Sequence, residues 1–278
     1  LRNKMAARWA FNTKNWKPNE QEILHASSLI QHEEKIRISK FVYIDDAMSS
    51  LIGRLMLRKY IMVATGWSNK NIQLKRDGHG KPILFGSQNS NPFFNISHQG
   101  DYVVLAGDKD NRVGIDVMKI EPPANKDIIE FFRIMTRQFS ATEWLKIRSY
   151  NTDMKQIGCF YRHWCLKESY VKNIGVGITV KLSDISFAIS SELIVGDIVT
   201  DSKLTVGNIL MENFVFEETL LDDKHAVAVA TELNDRSMFV SKKFELLEFK
   251  DLIEDLEPLC DEDKDFTIQF LKKDRKLF

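Results

Sequence analysis

The spacing of apolar residues changes from a helical period to a strand period twice along this chain, which strongly limits the possible folds. Residues 22–66 carry apolar side chains three and four positions apart, a pattern that predicts two helices ending at Gly66. Residues 72–118 instead alternate between glycine-containing turns, as strands do. A second helical section, 126–174, precedes further strands that end near residue 232. Helices followed by strands, twice, predict an α+β protein of two similar lobes.

The expected boundaries follow these changes of pattern. We expect an N-terminal lobe over residues 1–115, a C-terminal lobe over 116–232 and a loosely packed extension over 233–278. In the first lobe, "NIQLKRDGHGKPILF" predicts a hairpin with strands near 72–76 and 81–85. In the second, "FSATEW" predicts a helix start, in which Ser140 caps the backbone and Glu143 bonds back to it.

Composition excludes several classes of protein. The 278 residues are 44% hydrophobic and 28% charged, as in ordinary globular proteins, and no apolar run is long enough to cross a membrane. The start of the chain lacks the pattern of a secretory signal. Three cysteines without a CxxC pair predict a reducing compartment, and we therefore expect the cytosol.

Charge is distributed unevenly between the two expected lobes. Residues 1–115 hold 17 lysines and arginines against 10 acids, whereas residues 116–278 hold 22 against 29. A basic first lobe favours a small polyanionic ligand, and an acidic second lobe favours a cation. The continuous basic stripe of a nucleic-acid-binding protein is missing from the sequence.

Asp116, in the strand "VGIDVMK", is the first residue with a chemical signal. Alternation places Gly114, Asp116 and Met118 on the face opposite the valines and isoleucine. A carboxylate buried among apolar residues needs a partner, since an unpaired one costs several kcal/mol. The alternative is an edge strand whose polar face meets water.

Two basic segments of the first lobe carry weaker signals. "RDGHGKP" combines Arg76 and Lys81 with glycines that let the backbone approach a phosphate, but an exposed basic hairpin tip is the alternative interpretation. His98 ends a strand before Gly100, and no second ligand lies at zinc spacing from it, so a structural histidine is the alternative there.

The helix "WCLKESYVKNIGVG" carries the third signal. Glu168 and Lys172 lie four residues apart, the spacing of an exposed salt bridge, and a solvated helix face explains them equally well. Exposed pairs contribute only tenths of a kcal/mol, so stability is a poor reason for the arrangement. Combined with Asp116, however, Glu168 supplies the oxygen ligands that Mg²⁺ takes alongside phosphates, and Lys172 supplies a charge for a phosphate oxygen. The expected chemistry is phosphoryl-type transfer.

In order along the chain, "RDGHGKP", "FNISHQGDYVVLA", "VGIDVMK", "FSATEW" and "WCLKESYVKNIGVG" resemble the 4′-phosphopantetheinyl transferases, and in particular the long, two-lobed Sfp-type branch. The resemblance implies two α+β lobes related by a pseudo-twofold, with coenzyme A in the cleft between them. It also implies Mg²⁺-dependent transfer of the phosphopantetheine arm from coenzyme A to a serine of a carrier protein, releasing 3′,5′-ADP. A monomer is expected, because two fused lobes complete one cleft.

The resemblance also implies site residues. Asp116 and Glu168 match the metal-binding carboxylates, Glu168 is the candidate for accepting the serine proton, and Lys172 matches the lysine at the pyrophosphate. The coenzyme A contacts implied are Arg37, Arg76, Asp77, Gly78, His79, Gly80, Lys81, Asn95, Ile96, Ser97 and His98, besides the three residues just named.

One position departs from the family pattern and keeps alternatives open. Many bacterial members carry a second acid where this chain has Met118, so water or the side-chain oxygen of Gln99 would complete the metal site. The carriers implied are acyl carrier proteins, the carrier domain of a fatty acid synthase and an aminoadipate reductase of lysine metabolism. The alternative functions are a non-catalytic coenzyme A or carrier-binding module and another Mg²⁺-dependent, nucleotide-using transferase.

Overall fold

The computed structural model describes residues 6–78, 80–86, 91–124, 127–175 and 180–276. It contains two compact units, each mixing helices and strands, and the predicted α+β class is confirmed. The first unit comprises Leu1–Pro92, Asp101–Lys109 and Glu245–Phe278, and the second comprises Phe93–Gly100 and Asp110–Phe244. The units therefore interleave along the chain around residue 100, which differs from the single boundary expected at residue 115.

The helices and strands have the following bounds. The α-helices are α1 (Glu20–Ser28), α2 (His32–Ser39), α3 (Ile44–Thr65), α4 (Ile128–Ile134), α5 (Ala141–Arg148), α6 (Asp153–Ile174), α7 (Phe249–Ile253) and α8 (Lys264–Leu271). The strands are β1 (Ala7–Asn12), β2 (Gln73–Arg76), β3 (Pro82–Phe85), β4 (Phe93–Gln99), β5 (Tyr102–Asp108), β6 (Val113–Lys119), β7 (Ile185–Ala188), β8 (Lys203–Val206), β9 (Ile209–Leu210), β10 (Phe214–Leu220), β11 (His225–Glu232) and β12 (Glu245–Leu246).

The first unit has three N-terminal helices where the sequence predicted two. Asn19 and Gln31 each begin a helix with a capping box, whose reciprocal hydrogen bonds satisfy backbone N–H groups at α1 and α2. The third, α3, ends at Gly66 in the left-handed conformation, as the sequence predicted. The hairpin is also confirmed, since β2 and β3 pair in antiparallel register with Arg76 opposite Pro82.

The C-terminal segment was expected to pack loosely, and the structure corrects this. Strand β12 pairs in parallel with β1, with Glu245 opposite Trp9. Helix α8 inserts Phe266 and Phe270, both buried, and the ring of Phe249 stacks on Trp16 at a centroid distance of 4.9 Å. Apolar side chains at this spacing cover the first unit's core, so residues 245–278 are part of that unit rather than an appendage.

The second unit is organised around α6, which crosses the sheet β10-β11-β6. One core cluster of this unit joins α6 to strands β7, β8, β10 and β11, and its buried members are Cys165, Leu166, Tyr170, Val171, Ile185, Phe187, Leu204, Phe214, Phe216, Ala226, Ala228 and Ala230. Met118 packs against this cluster. The predicted helix start is confirmed at α5: the Ser140 hydroxyl accepts from the Glu143 N–H, and the Glu143 carboxylate accepts from the Ser140 N–H at 2.8 Å.

Two further observations concern membrane-spanning helices and the cysteines. Among the described residues, no helix combines the length and the apolar composition required to cross a membrane. Cys159 and Cys165 are buried free thiols, whereas Cys260 is an exposed one.

Candidate active site

Asp116 and Lys172 meet in the second unit, where α6 passes over β6. The Nζ atom of Lys172 lies 2.6 Å from Oδ1 of Asp116. Asp116 is only 5% exposed, so the alternative of a carboxylate on a water-facing strand surface is wrong. The opposite charge of Lys172 offsets part of the free-energy cost of burying the Asp116 carboxylate.

A serine on β4 joins the same pair. The hydroxyl of Ser97 donates to Oδ1 of Asp116 at 2.8 Å and accepts from Nζ of Lys172 at 2.9 Å. Ser97 is itself buried. It therefore fixes both side chains of the ion pair, in the way that outer hydrogen-bond partners orient metal-binding carboxylates.

Ser97 belongs to an alternating row of polar side chains on β4. Asn95 accepts through Oδ1 from the Ile115 N–H at 3.0 Å, and Gln99 accepts through Oε1 from the Lys119 N–H. Strand β6 is an edge of its sheet, and these side chains satisfy N–H groups along that edge. The β4 row thereby sets the position of β6, and with it that of Asp116.

Glu168 lies one turn before Lys172 on α6 and is half-buried. Burial, and then the nearby charge of Asp116, raise the pKa of Glu168 above its ordinary value, while Lys172 opposes that rise. The two carboxylates repel each other at this separation, and a bound cation would relieve that repulsion. The ion pair of Lys172 is formed with Asp116 rather than with Glu168, contrary to the salt bridge that the four-residue spacing suggested.

Much of α6 is buried, whereas Glu168 and Lys172 lie on its half-buried side. Lys167, immediately before Glu168, is fully buried, and its Nζ lies 2.8 Å from Oε2 of Glu143. The same ammonium donates to the carbonyl oxygens of Leu182 and Ile185. Lys167 thus links α6 to the start of α5 through the ion pair and to β7 through the Ile185 carbonyl. These contacts fix the turn that carries Glu168.

Gly114 permits the close approach of α6 to β6. A Cβ atom at Gly114 would lie 2.1 Å from the carbonyl oxygen of Ser169 and 2.4 Å from the backbone N of Asn173. Any larger residue there would separate the helix that carries Glu168 and Lys172 from the strand that carries Asp116. The sequence signal for this role was available, because glycine inside a strand marks close backbone approach.

The described residues around Asp116 fit a magnesium ion. Oδ2 of Asp116 is buried and has no hydrogen-bond partner among the residues described here, a state that is costly unless a ligand is bound. In the described ranges, His, Cys, Asp and Glu side chains do not gather in groups of three or more around a potential metal position. A site of two carboxylates suits Mg²⁺, which keeps several water ligands. The Gln99 oxygen already accepts a backbone N–H, and its role as third ligand stays a prediction.

The remaining predicted contacts fall in two places. Asn95, Ile96, Ser97 and His98 lie on β4 in the second unit, and Arg37, Arg76, Asp77, Gly78, Gly80 and Lys81 lie in the first unit. His79 falls outside the described residues. In the hairpin turn, Asp77 accepts from the Lys81 N–H at 2.9 Å and Arg76 donates to the Gly80 carbonyl, so both side chains also shape the turn itself.

Comparison with known proteins places this chain in a family. A sequence profile described as "4′-phosphopantetheinyl transferase, N-terminal" matches residues 14–110, and one described as "4′-phosphopantetheinyl transferase superfamily" matches residues 112–230. The chain is 42% identical to the L-aminoadipate-semialdehyde dehydrogenase-phosphopantetheinyl transferase of Xenopus laevis, over 96% of this chain and 92% of that protein. It is 39% identical to the protein of the same name from Homo sapiens, over 93% and 89%.

A more distant relative is the phosphopantetheinyl transferase of Thraustochytrium sp., which is 34% identical over 81% of this chain and 77% of that protein. The two family profiles together cover every described candidate residue named above, from Arg37 to Lys172. Two matching family profiles and full-length relatives of about 40% identity therefore show that this chain is an enzyme of the 4′-phosphopantetheinyl transferase family.

Proposed function

We propose that this enzyme transfers the 4′-phosphopantetheine group from coenzyme A to a serine of an apo carrier protein, with Mg²⁺ bound at Asp116 and Glu168. The observation that carries the proposal is Oδ2 of Asp116, which is buried without a hydrogen-bond partner among the described residues and lies beside a second carboxylate and a lysine. When bound, the cation would neutralise charge on the diphosphate of the substrate.

Glu168 is proposed to accept the proton of the serine hydroxyl, directly or through water. As a half-buried carboxylate beside Asp116, Glu168 offers an oxygen that can take up this proton next to the proposed Mg²⁺ position. The serine oxygen forms a bond to the phosphorus atom that bears the pantetheine arm. The bond from that phosphorus to the bridging oxygen breaks, and 3′,5′-ADP leaves with the electron pair.

Lys172 is proposed to contact a phosphate oxygen of coenzyme A. Its side chain is 29% exposed, so it is accessible from solvent although its ammonium is paired with Asp116. A positioned positive charge stabilises the negative charge that develops during phosphoryl transfer. Ser97 hydrogen-bonds to both side chains and would keep Lys172 close to Asp116 while the lysine contacts the phosphate.

The proposed carrier substrates are acyl carrier proteins, the carrier domain of a fatty acid synthase and an aminoadipate reductase. The animal relatives are named for aminoadipate-semialdehyde dehydrogenase, which supports the last of these. We further propose that the enzyme acts in the cytosol as a monomer.

The test is incubation with coenzyme A, Mg²⁺ and apo acyl carrier protein, followed by intact mass measurement of the carrier. The expected result is a gain of one phosphopantetheine group that depends on Mg²⁺. Glu168→Gln should abolish the gain while coenzyme A still binds, and Glu121→Gln, which removes an exposed acid just beyond β6, should leave it unchanged.

Two outcomes contradict the proposal. If wild-type protein binds coenzyme A but modifies no carrier, the chain is a non-catalytic binding module. If Glu168→Gln turns over normally, Glu168 does not accept the proton.

A further inference from the structure

Cys260 lies against a buried lysine in the first unit. Its Sγ atom is 3.7 Å from Nζ of Lys35, which belongs to α2. The same ammonium is paired with Oδ2 of Asp263, the N-cap residue of α8, at 3.0 Å. Sγ also lies 3.9 Å from the carbonyl oxygens of Ser27 and Ser28, at the end of α1. The sulfur is therefore placed where α1, α2 and the C-terminal segment meet.

The three cysteines of the chain, all of them described by the structure, differ in their access to oxidants. Cys159 and Cys165 are buried, and burial raises the pKa of both thiols, that of Cys159 to about 12. Because the thiolate is the reactive form, these two thiols are protected from oxidation. Cys260 is exposed and has a cation beside its sulfur, and these two features are typical of oxidation-sensitive cysteines.

Lys35 is positioned to react with that sulfur after oxidation. Its ion pair with Asp263 holds Nζ beside Sγ. Groups react most readily when the reacting atoms are held about 3–3.5 Å apart, and the flexible stem of a lysine covers the small remaining distance. A neutral lysine amine is a nucleophile, and a sulfenic acid condenses with nitrogen as well as with thiols.

We propose that oxidation by hydrogen peroxide joins Cys260 to Lys35 through a sulfur–nitrogen bond. The Cys260 thiolate attacks one peroxide oxygen to give a sulfenic acid, and the leaving hydroxide takes the thiol proton to become water. The neutral amine of Lys35 then attacks the sulfenic sulfur. The Nζ–Sγ bond forms, the Sγ–O bond breaks, and the hydroxyl leaves as water with a proton from the amine. The sulfur loses two electrons, which reduce one peroxide molecule to two waters.

The bond links α2 to the loop between α7 and α8. Residues 35 and 260 are far apart in the sequence, so the link restricts the unfolded chain and stabilises the folded one. Two small thiols reverse the reaction, since the first attacks Sγ and releases the amine, and the second releases Cys260 as a thiol by forming a disulfide with the first. The modification uses neither coenzyme A nor Mg²⁺ and is therefore independent of the proposed function.

The test treats the purified full chain with hydrogen peroxide and maps its proteolytic peptides by mass spectrometry. The expected product is a linked pair of peptides that contain residues 35 and 260. Its mass should be the sum of the two peptides less two hydrogen atoms, and dithiothreitol should separate them. The treated protein should melt roughly 5–10 °C above the untreated protein, because cross-links that close long loops stabilise most.

Two variants separate the steps of the reaction. Cys260→Ser should form no link and show no rise in melting temperature. Lys35→Arg keeps a positive charge for Asp263, but a guanidinium does not lose its proton in proteins, so no link should form. In Lys35→Arg, dimedone should instead trap the sulfenic acid at Cys260.

The matched control is Lys59→Gln. Lys59 pairs with Asp255 of the same C-terminal segment at 2.7 Å, so its removal also breaks an ion pair between that segment and a helix. The link between residues 35 and 260 should form in this variant as in the wild type. Thermal unfolding before treatment establishes that each variant is folded.

Three results would overturn the proposal. In the first, Cys260 is oxidised to a sulfinic acid or to a disulfide between chains while the peptide of Lys35 stays free. In the second, the link also forms in Lys35→Arg, so that another nitrogen is the partner. In the third, the linked peptides retain an additional oxygen atom, which excludes a direct bond between sulfur and nitrogen.

Discussion

Gly114 lies directly under the backbone of Ser169, so that a Cβ at Gly114 would stand 2.1 Å from the Ser169 carbonyl oxygen. The contact sets the spacing between β6 and α6, which carry the acids and the lysine of the site. We expect Gly114→Ala to destabilise the protein by about 1–3 kcal/mol, the usual cost of overpacking, and to reduce transfer. Urea denaturation and the carrier mass assay measure the two effects.

The control for this prediction lies on the same helix. Gly158 of α6 has only Ile120 Cγ2 near its would-be Cβ, at 3.9 Å. Because alanine is the better helix former, Gly158→Ala should raise the free energy of unfolding by up to about 1 kcal/mol and preserve transfer. Normal activity in Gly114→Ala would show that the approach of the helix does not set the geometry of the site.

Ser97→Ala should weaken Mg²⁺ binding. The variant loses the 2.8 Å hydrogen bond to Asp116 and the 2.9 Å bond from Lys172, and outer partners of metal-binding carboxylates typically contribute roughly 10–100-fold in affinity. Calorimetric titration with Mg²⁺ in the presence of coenzyme A measures the effect. Ser149→Ala, at the exposed end of α5, is the control, and equal affinities in both variants would contradict the prediction.

Lys167 and Glu143 should be energetically coupled. Both side chains are fully buried, so Lys167→Met leaves an unpaired carboxylate and should cost about 3–5 kcal/mol. Adding Glu143→Gln removes that charge, and the double variant should therefore be more stable than the sum of the two single losses predicts. Denaturant unfolding of the four proteins gives the coupling free energy. Additive losses would mean that the pair does not interact.

The free energy of unfolding should fall with pH below about 6.5, partly because of His163. This ring is fully buried on α6, and Nε2 has no hydrogen-bond partner within the described residues. Burial lowers the pKa of His163, so the unfolded chain binds more protons as the pH falls, and stability that is complete above the ordinary pKa is lost below it.

Chemical denaturation across this pH range should show a flatter dependence for His163→Phe. The exposed His32 offers a control, since His32→Gln should keep the wild-type dependence. Parallel curves for wild type and His163→Phe would exclude His163 as a source of the pH effect.

Phe270→Ala should destabilise the first unit by about 3–5 kcal/mol, because Phe270 is 1% exposed and its removal leaves a cavity. Ile268, two residues earlier on α8, is 46% exposed, and Ile268→Ala should have little effect. Thermal unfolding separates the two variants. Equal melting temperatures would mean that the C-terminal segment packs as loosely as its sequence suggested.

Local signals in the sequence determined the hairpin at Arg76, the capping box at Ser140, the helix end at Gly66 and the alternation that isolates Asp116 on one face of β6. Each depends on residues a few positions apart, so backbone geometry and turn chemistry were sufficient to predict it. The resemblance of the motifs then indicated the family, which the comparisons confirm.

Only the tertiary structure decided which charges meet. Spacing along α6 paired Lys172 with Glu168, yet it pairs with Asp116, 56 residues away, and Lys167 turns inward to Glu143. The packing of residues 245–278 in the first unit was not predicted from the sequence either. Such contacts depend on tertiary packing, which is determined by many weak interactions between residues far apart in the sequence. Local sequence patterns do not predict these interactions.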